Sequence, residues 1–178
     1  MHKIKTAVLI SGRGSNMMAI LKATQNYNYP AKLDIVISNK PSAEGLKKAE
    51  EFGIKTVALD HKAYKNRYEF EKDLDTHLRA SKIQIVCCAG FMRILSPWFV
   101  KRWEGKLLNI HPSLLPKYKG LNTHEKAIES GDTIHGCTVH FINTELDSGK
   151  IILQKSIEIF SNDTPQSLSE RLLIKELE

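Results

Sequence analysis

Four segments of this 178-residue chain carry side chains or glycines suited to chemistry. In Asn109-Ile110-His111-Pro112-Ser113-Leu114-Leu115-Pro116, an amide and an imidazole stand two residues apart. If Asn109 and His111 end a strand, the pleat sends both side chains the same way. Asparagine then offers an uncharged donor to a developing oxyanion, and histidine can move protons near neutral pH. A loop histidine held by structural hydrogen bonds is the competing reading. Glu145-Leu146-Asp147-Ser148-Gly149 is an acidic turn. Asp147 would stabilise an imidazolium at His111 if the fold brings the two together, although Asp-Ser-Gly is also ordinary turn chemistry.

The third segment is Ser11-Gly12-Arg13-Gly14-Ser15-Asn16. Its glycines let the backbone approach an anion, and a helix starting there would offer free N–H groups to a phosphate. Ser15 and Asn16 add donors and are able to cap that helix, so a plain tight turn explains the segment too. Met17 stands where G-x-G-x-x-G needs its third glycine, and the lysine of a Walker loop is missing. A single phosphate therefore fits better than a dinucleotide or ATP. In the fourth, Gly90-Phe91-Met92-Arg93-Ile94-Leu95, apolar Met92, Ile94 and Leu95 occupy a loop. They suit either a flat aromatic ligand or packing under the next helix.

The elements that must position these segments alternate. Apolar or β-branched runs at 6–10, 33–38, 56–59, 83–89 and 107–110 read as strands. Between them, 17–21, 43–52, 64–79 and 97–102 read as helices, with Gly53 ending the second and Tyr68, Leu74 and Leu78 facing inward from the third. Such alternation predicts a Rossmann-like α/β fold: a mostly parallel twisted sheet with helices on both faces. Its ligands belong beyond the carboxyl ends of the strands, where the four segments fall. Beyond residue 120 the character changes, and 138–142 and 151–159 predict antiparallel strands joined by the acidic turn, before a final helix carrying Leu168, Leu172 and Leu173.

Composition limits the function classes. With 42% hydrophobic and 26% charged residues the chain is globular, and no apolar run reaches the roughly 20 residues that span a bilayer. The apolar start is too short for a signal peptide, and Cys87, Cys88 and Cys137 form neither a disulfide framework nor a zinc-ligand spacing. A cytoplasmic protein with reduced thiols and no metal is the expectation. The net charge is +6, and it is uneven. Nine basic residues face five acidic ones over 1–60, twelve face five over 61–120, and five face ten thereafter. A basic middle suggests an anionic partner, but without a recognition motif small phosphorylated or carboxylated molecules serve as well as nucleic acid.

Taken in order, these segments closely resemble the phosphoribosylglycinamide formyltransferases, within the wider folate-dependent formyltransferase family. Asn109-Ile110-His111-Pro112-Ser113-Leu114-Leu115-Pro116-Lys117-Tyr118, Gly120-Leu121, Thr123-His124, His135-Gly136, Thr138-Val139-His140-Phe141 and Ser96 extend the resemblance over nearly the whole chain. It implies a single domain over 1–178, with a phosphate-binding half at 1–102 and a catalytic and folate-loop half at 103–178. It also implies transfer of a formyl group from 10-formyltetrahydrofolate to the amine of N1-(5-phospho-D-ribosyl)glycinamide in purine biosynthesis, without a metal. By the same resemblance Asn109, His111 and Asp147 are catalytic, and Gly12, Arg13, Gly14, Ser15 and Asn16 surround the acceptor's phosphate. Arg67, Met92, Arg93, Ile94, Leu95, Asn109, Ile142, Asn143 and Glu145 meet the folate, and Glu176 meets the acceptor's ribose. The partners are then small molecules, with neither nucleic acid nor membrane, and the protein is a monomer or homodimer.

Lys150 departs from the proline of relatives, Met17 from a leucine, and relatives continue past the position of Glu178 with a further segment. A less complete ribose side and weaker acceptor binding are expected on that ground. The rival activities are formyl transfer to methionyl-tRNA, hydrolysis of formyltetrahydrofolate and non-catalytic anion or nucleic-acid binding. The first two are disfavoured because those enzymes carry extra domains, and the third leaves Asn109, His111 and Asp147 unexplained.

Overall fold

The computed structural model describes residues 2–178; Met1, where the expected domain begins, lies outside the described residues. In chain order the elements are β1 (Ile4–Ile10), α1 (Ser15–Gln25), β2 (Ala31–Ser38), α2 (Glu44–Glu51), β3 (Lys55–Ala58), α3 (Arg67–Ala80), β4 (Ile85–Cys88), α4 (Pro97–Arg102), β5 (Leu107–His111), α5 (Thr123–Glu129), β6 (Ile134–Phe141), β7 (Ile151–Glu158) and α6 (Pro165–Glu176). A short 3₁₀ turn, His61–Ala63, precedes α3. The strands form a mixed seven-stranded sheet in the order β3-β2-β1-β4-β5-β6-β7. β1 runs parallel to β2 and β4, β2 parallel to β3, and β6 antiparallel to β7. The chain divides into two compact units, the first ending at Leu108 and the second covering Asn109–Glu178.

In the first unit β1 is buried on both sides, which is why it reads as a continuous apolar run. Val8 and Ile10 join Val36 of β2 in a cluster with Met17 and Leu21 of α1 and Leu46 and Ala49 of α2. The intervening Ala7, Leu9, Ile35 and Ile37 are equally buried, so the opposite face is covered as well. α3 packs on α4, and their junction is polar. The Asp75 carboxylate accepts from Arg79, Arg102 and the Trp103 indole, whose N–H lies at 2.8 Å. These donors hold the Asp75 carboxyl below its usual range against the opposing effect of burial. Glu71, also buried, accepts from the backbone and hydroxyl of Ser96, the side chain that caps α4. In the second unit α6 opens with a capping box made by Thr164 and Ser167, and buries Leu168 and Leu172 beside β6 and β7.

The structure corrects several boundaries. α3 starts at Arg67 because Asn66 caps it through Glu69 N, three residues later than expected. Tyr68 is 51% exposed rather than inward, and packs edge-on against Trp98. β4 is four residues long, not seven, and β6 starts at Ile134, not 138. α5 was absent from the expectation.

α1 and α2 meet where two glycines touch. A Cβ on Gly45 would lie 3.1 Å from Gly14 Cα and 3.2 Å from Gly12 O, and the Gly45 N–H donates to that carbonyl at 3.0 Å. Alanine is the better helix former by about 1 kcal/mol, yet overpacking against backbone costs about 1–3 kcal/mol. Gly45→Ala is therefore expected to lower the urea midpoint. A raised midpoint would show that the loop yields and propensity wins.

Candidate active site

β5 delivers Asn109 and His111 two residues apart, and both are in the second unit with Asp147. His111 is 5% exposed. Its Nε2 meets the Tyr118 carbonyl at 2.9 Å, and its Nδ1 stands 3.5 Å from Asp147 Oδ2. A carbonyl only accepts, so Nε2 carries a proton and Nδ1 is the nitrogen that faces Asp147. Tyr118 takes up a left-handed backbone, φ 55°, that few bulky residues adopt. Ser113 Oγ donates to Lys117 O at 2.6 Å, and Thr138 Oγ1 to Ser113 O at 2.6 Å while accepting from Leu115 N. Thr138 on β6 thus braces the loop that supplies the carbonyl.

Asp147 is held from two directions. The Gly120 N–H donates to Oδ2 at 2.9 Å, and Asp147 itself has φ 47°. Its loop is pinched at the base, where Phe141 N donates to Lys150 O at 2.9 Å. A Cβ on Gly149 would fall 1.6 Å from Phe141 O, so no other residue fits there. Farther out, Lys119 contacts Ser148 and pairs with Glu145 at 3.6 Å, and Asn143 Oδ1 accepts from Glu145 N. Ile142 is half-buried, whereas Asn143 and Glu145 are exposed.

Sequence reasoning missed the role of His140. Its Nδ1 lies 2.9 Å from the Phe141 carbonyl and its Nε2 lies 3.2 Å from Asn109 Nδ2. The carbonyl fixes the proton on Nδ1, so Nε2 accepts from the Asn109 amide. Burial lowers the His140 pKa, in keeping with a neutral ring. One Asn109 N–H is thereby committed, and the second is left to meet a ligand oxygen. The signal available in the sequence was a second histidine on a strand, which polar alternation explains as easily.

The remaining expected residues fall as follows. In the first unit, α1 takes Gly14, φ 72°, at its N-cap and no side chain caps it, so Ser15 and Asn16 begin the helix instead. Gly12 and Arg13 are exposed just before it. Ser11 ties this loop to the fourth segment: its hydroxyl donates to Asn39 Oδ1 at 2.5 Å and accepts from Met92 N at 2.8 Å. Met92 and Ile94 are 68% and 64% exposed, while Leu95 belongs to the core. Arg93 lies over the Phe70 ring, and Arg67 is exposed at the first turn of α3. Glu176 ends α6 half-buried, where burial first and its charge second push the Cys137 thiol up. No three His, Cys, Asp or Glu side chains among the described residues are grouped to hold a metal ion. No helix among them is long and apolar enough to cross a membrane.

Near Pro112 lies a second histidine pair, in which His135 is buried and His124 half-buried. His135, 1% exposed, approaches His124 Nδ1 through Nε2 at 3.0 Å. Burial and the His124 charge depress His135 to about 4, opposed by Asp132 and the Pro112 backbone, and burial lowers His124 too. A folded-state pKa below the unfolded 6.5 means that folding favours the neutral ring. The contribution is complete above pH 6.5 and is lost as pH falls toward 4. Chemical denaturation across that window is expected to show stability falling with pH, and His135→Phe to flatten the slope. An unchanged slope would place the acid sensitivity elsewhere.

Comparison with known proteins extends these observations. The chain is 53% identical over 174 residues to the human trifunctional purine biosynthetic protein adenosine-3, covering 98% of this chain and 17% of that protein. It is 45% identical to the phosphoribosylglycinamide formyltransferase of Haemophilus influenzae, covering 94% of this chain and 79% of that one. The crystal structure of phosphoribosylglycinamide formyltransferase from Brucella melitensis superposes with a TM-score of 0.95 at 39% identity, covering 99% and 91% of the respective chains. The family model for formyl transferase matches residues 4–178, a span that includes Asn109, His111, His140 and Asp147, and the chain belongs to the formyl transferase family.

Proposed function

We propose that this chain transfers the formyl group of 10-formyltetrahydrofolate to the primary amine of N1-(5-phospho-D-ribosyl)glycinamide, a step of purine biosynthesis carried out on small molecules in the cytoplasm. The observation that carries the reading is the cluster of Asn109, His111, Asp147 and His140, joined by contacts of 3.2 to 3.8 Å. Its donors converge from two side chains, as acyl transfer requires.

The amine nitrogen attacks the formyl carbon, and the carbonyl electron pair moves onto the formyl oxygen. The free Asn109 N–H and the His111 Nδ1–H donate to that oxygen as its charge grows. Asp147, 3.5 Å from Nδ1, sets a carboxylate beside the ring as it donates. The pair then returns to re-form the carbonyl, the bond from carbon to the folate nitrogen breaks, and that nitrogen gains a proton as the amine nitrogen loses one. Exposed Met92 and Ile94 offer an apolar wall of the kind a pterin stacks on, with Arg67, Arg93, Ile142, Asn143 and Glu145 assigned to the rest of the folate. The uncapped start of α1 at Gly14-Ser15-Asn16, with Gly12 and Arg13, suits the acceptor's phosphate. Glu176 is assigned to its ribose.

The test mixes protein, 10-formyltetrahydrofolate and the glycinamide nucleotide and follows release of tetrahydrofolate. Release that depends on the nucleotide is expected; release without it would reveal a hydrolase, and none would overturn the reading. Each oxyanion donor is typically worth about 10²–10³ in turnover, so His111→Ala and Asp147→Asn should lower kcat on that scale with little change in KM. Equal turnover in both variants would refute their roles. His140→Ala frees the Asn109 amide to rotate, and a fall in kcat of about tenfold at constant KM is expected, reversed in part by His140→Gln.

A further inference from the structure

Formyl transfer leaves the basic middle of the sequence, twelve cations against five carboxylates over 61–120, largely unused. Four of those cations, Arg79, Lys82, Arg102 and Lys106, line one concavity of about 280 Å³ together with Ile83 and Trp103. It opens in the first unit, where α3 gives way to β4 and α4 to β5. That is the amino end of β4, whereas the Gly14 loop follows the carboxyl end of β1, which runs parallel to β4. The two features lie beyond opposite ends of these adjacent parallel strands.

The two arginines are fixed before any ligand arrives. Buried Asp75 accepts from Arg79 Nε at 2.9 and 3.0 Å, from Arg102 at 2.9 and 3.1 Å, and from Trp103 Nε1 at 2.8 Å. Five such contacts use up a carboxylate's acceptor capacity. Arg79 lies over the Trp103 ring at 5.5 Å and Arg102 over Trp98 at 5.0 Å, which holds both guanidinium planes. Both terminal nitrogens of Arg79, one of Arg102, and the ammonium groups of Lys82 and Lys106 donate to no protein acceptor among the described residues. Four cations gathered over a single carboxylate repel one another, and a multiply charged anion relieves that repulsion.

We propose that this concavity is a second binding site, for a small anion carrying two adjacent phosphoryl groups. Forked guanidinium donors match phosphoryl oxygens in pairs, and two lysines add charge without demanding a geometry. A single carboxylate would leave most of these donors unmet. A nucleic-acid strand would need a stripe of cations along its backbone, and the cations here enclose one hollow instead.

The Trp103 indole N–H sits under the proposed ligand and serves as the reporter. Inorganic pyrophosphate is titrated into the ¹⁵N-labelled full chain at constant ionic strength, with Trp98→Phe used to assign the Trp103 indole resonance. A saturable displacement is expected. The exposed pair Lys82→Gln/Lys106→Gln should weaken it about tenfold while leaving formyl transfer unchanged. ADP in place of pyrophosphate distinguishes the sources: equal or tighter binding supports a nucleoside diphosphate, and binding of pyrophosphate alone supports a free diphosphate. Three results would overturn the site: no saturable displacement, the same displacement in the double variant, or the same displacement from sulfate at equal concentration.

Discussion

The contact between His111 and Asp147 has side chains only 6% and 10% exposed, and this burial makes a 3.5 Å separation consequential. In open water such a pair gains little, because solvent screens it and both partners move. Out of water the carboxylate's field on the imidazole is screened less. Much of the second unit serves to keep that carboxylate in place. The Gly120 amide holds one oxygen, the left-handed backbone of Asp147 turns the side chain inward, and Gly149 lets the loop close against Phe141. None of these features is chemically reactive, yet each restricts where the carboxylate can be.

The same unit handles its other histidines in the opposite way. His140, His135 and His124 are all lowered by burial and stay neutral, acting as acceptors and spacers. Asp147 stands beside two of these rings, 3.5 Å from His111 Nδ1 and 3.8 Å from His140 Nε2. His140 acts through its tautomer: the Phe141 carbonyl sets the proton, the proton sets the lone pair, and the lone pair orients the Asn109 amide.

The elements legible in the sequence were those whose local and tertiary signals agree. β1 is buried on both sides and spells a continuous apolar run, β2 does so over 35–37, and α4 is bounded by the Ser96 cap and Pro97, so its limits matched. α5 was invisible because it buries only Thr123 and Ala127 and begins on a left-handed Asn122 rather than a capping side chain. The start of β6 was masked by buried His135 and Thr138, polar residues that break an apolar run because hydrogen bonds satisfy them. Asn109 and His111 could be paired from strand alternation alone. Asp147 could not be joined to them without the fold, since 35 residues of chain intervene between it and His111. His140 and the Tyr118 carbonyl lay beyond sequence reasoning, one because it resembles any strand histidine and the other because a backbone group has no letter.

Ser11 bears on how this architecture can diverge. One hydroxyl satisfies Asn39 on one side and the Met92 amide on the other, so three strand-end loops share a single hinge pin. Loops of α/β sheets ordinarily vary one at a time. Here a change of ligand preference in any of the three must preserve that oxygen or be matched in the other two, which makes the rim of the first unit inherit as a set.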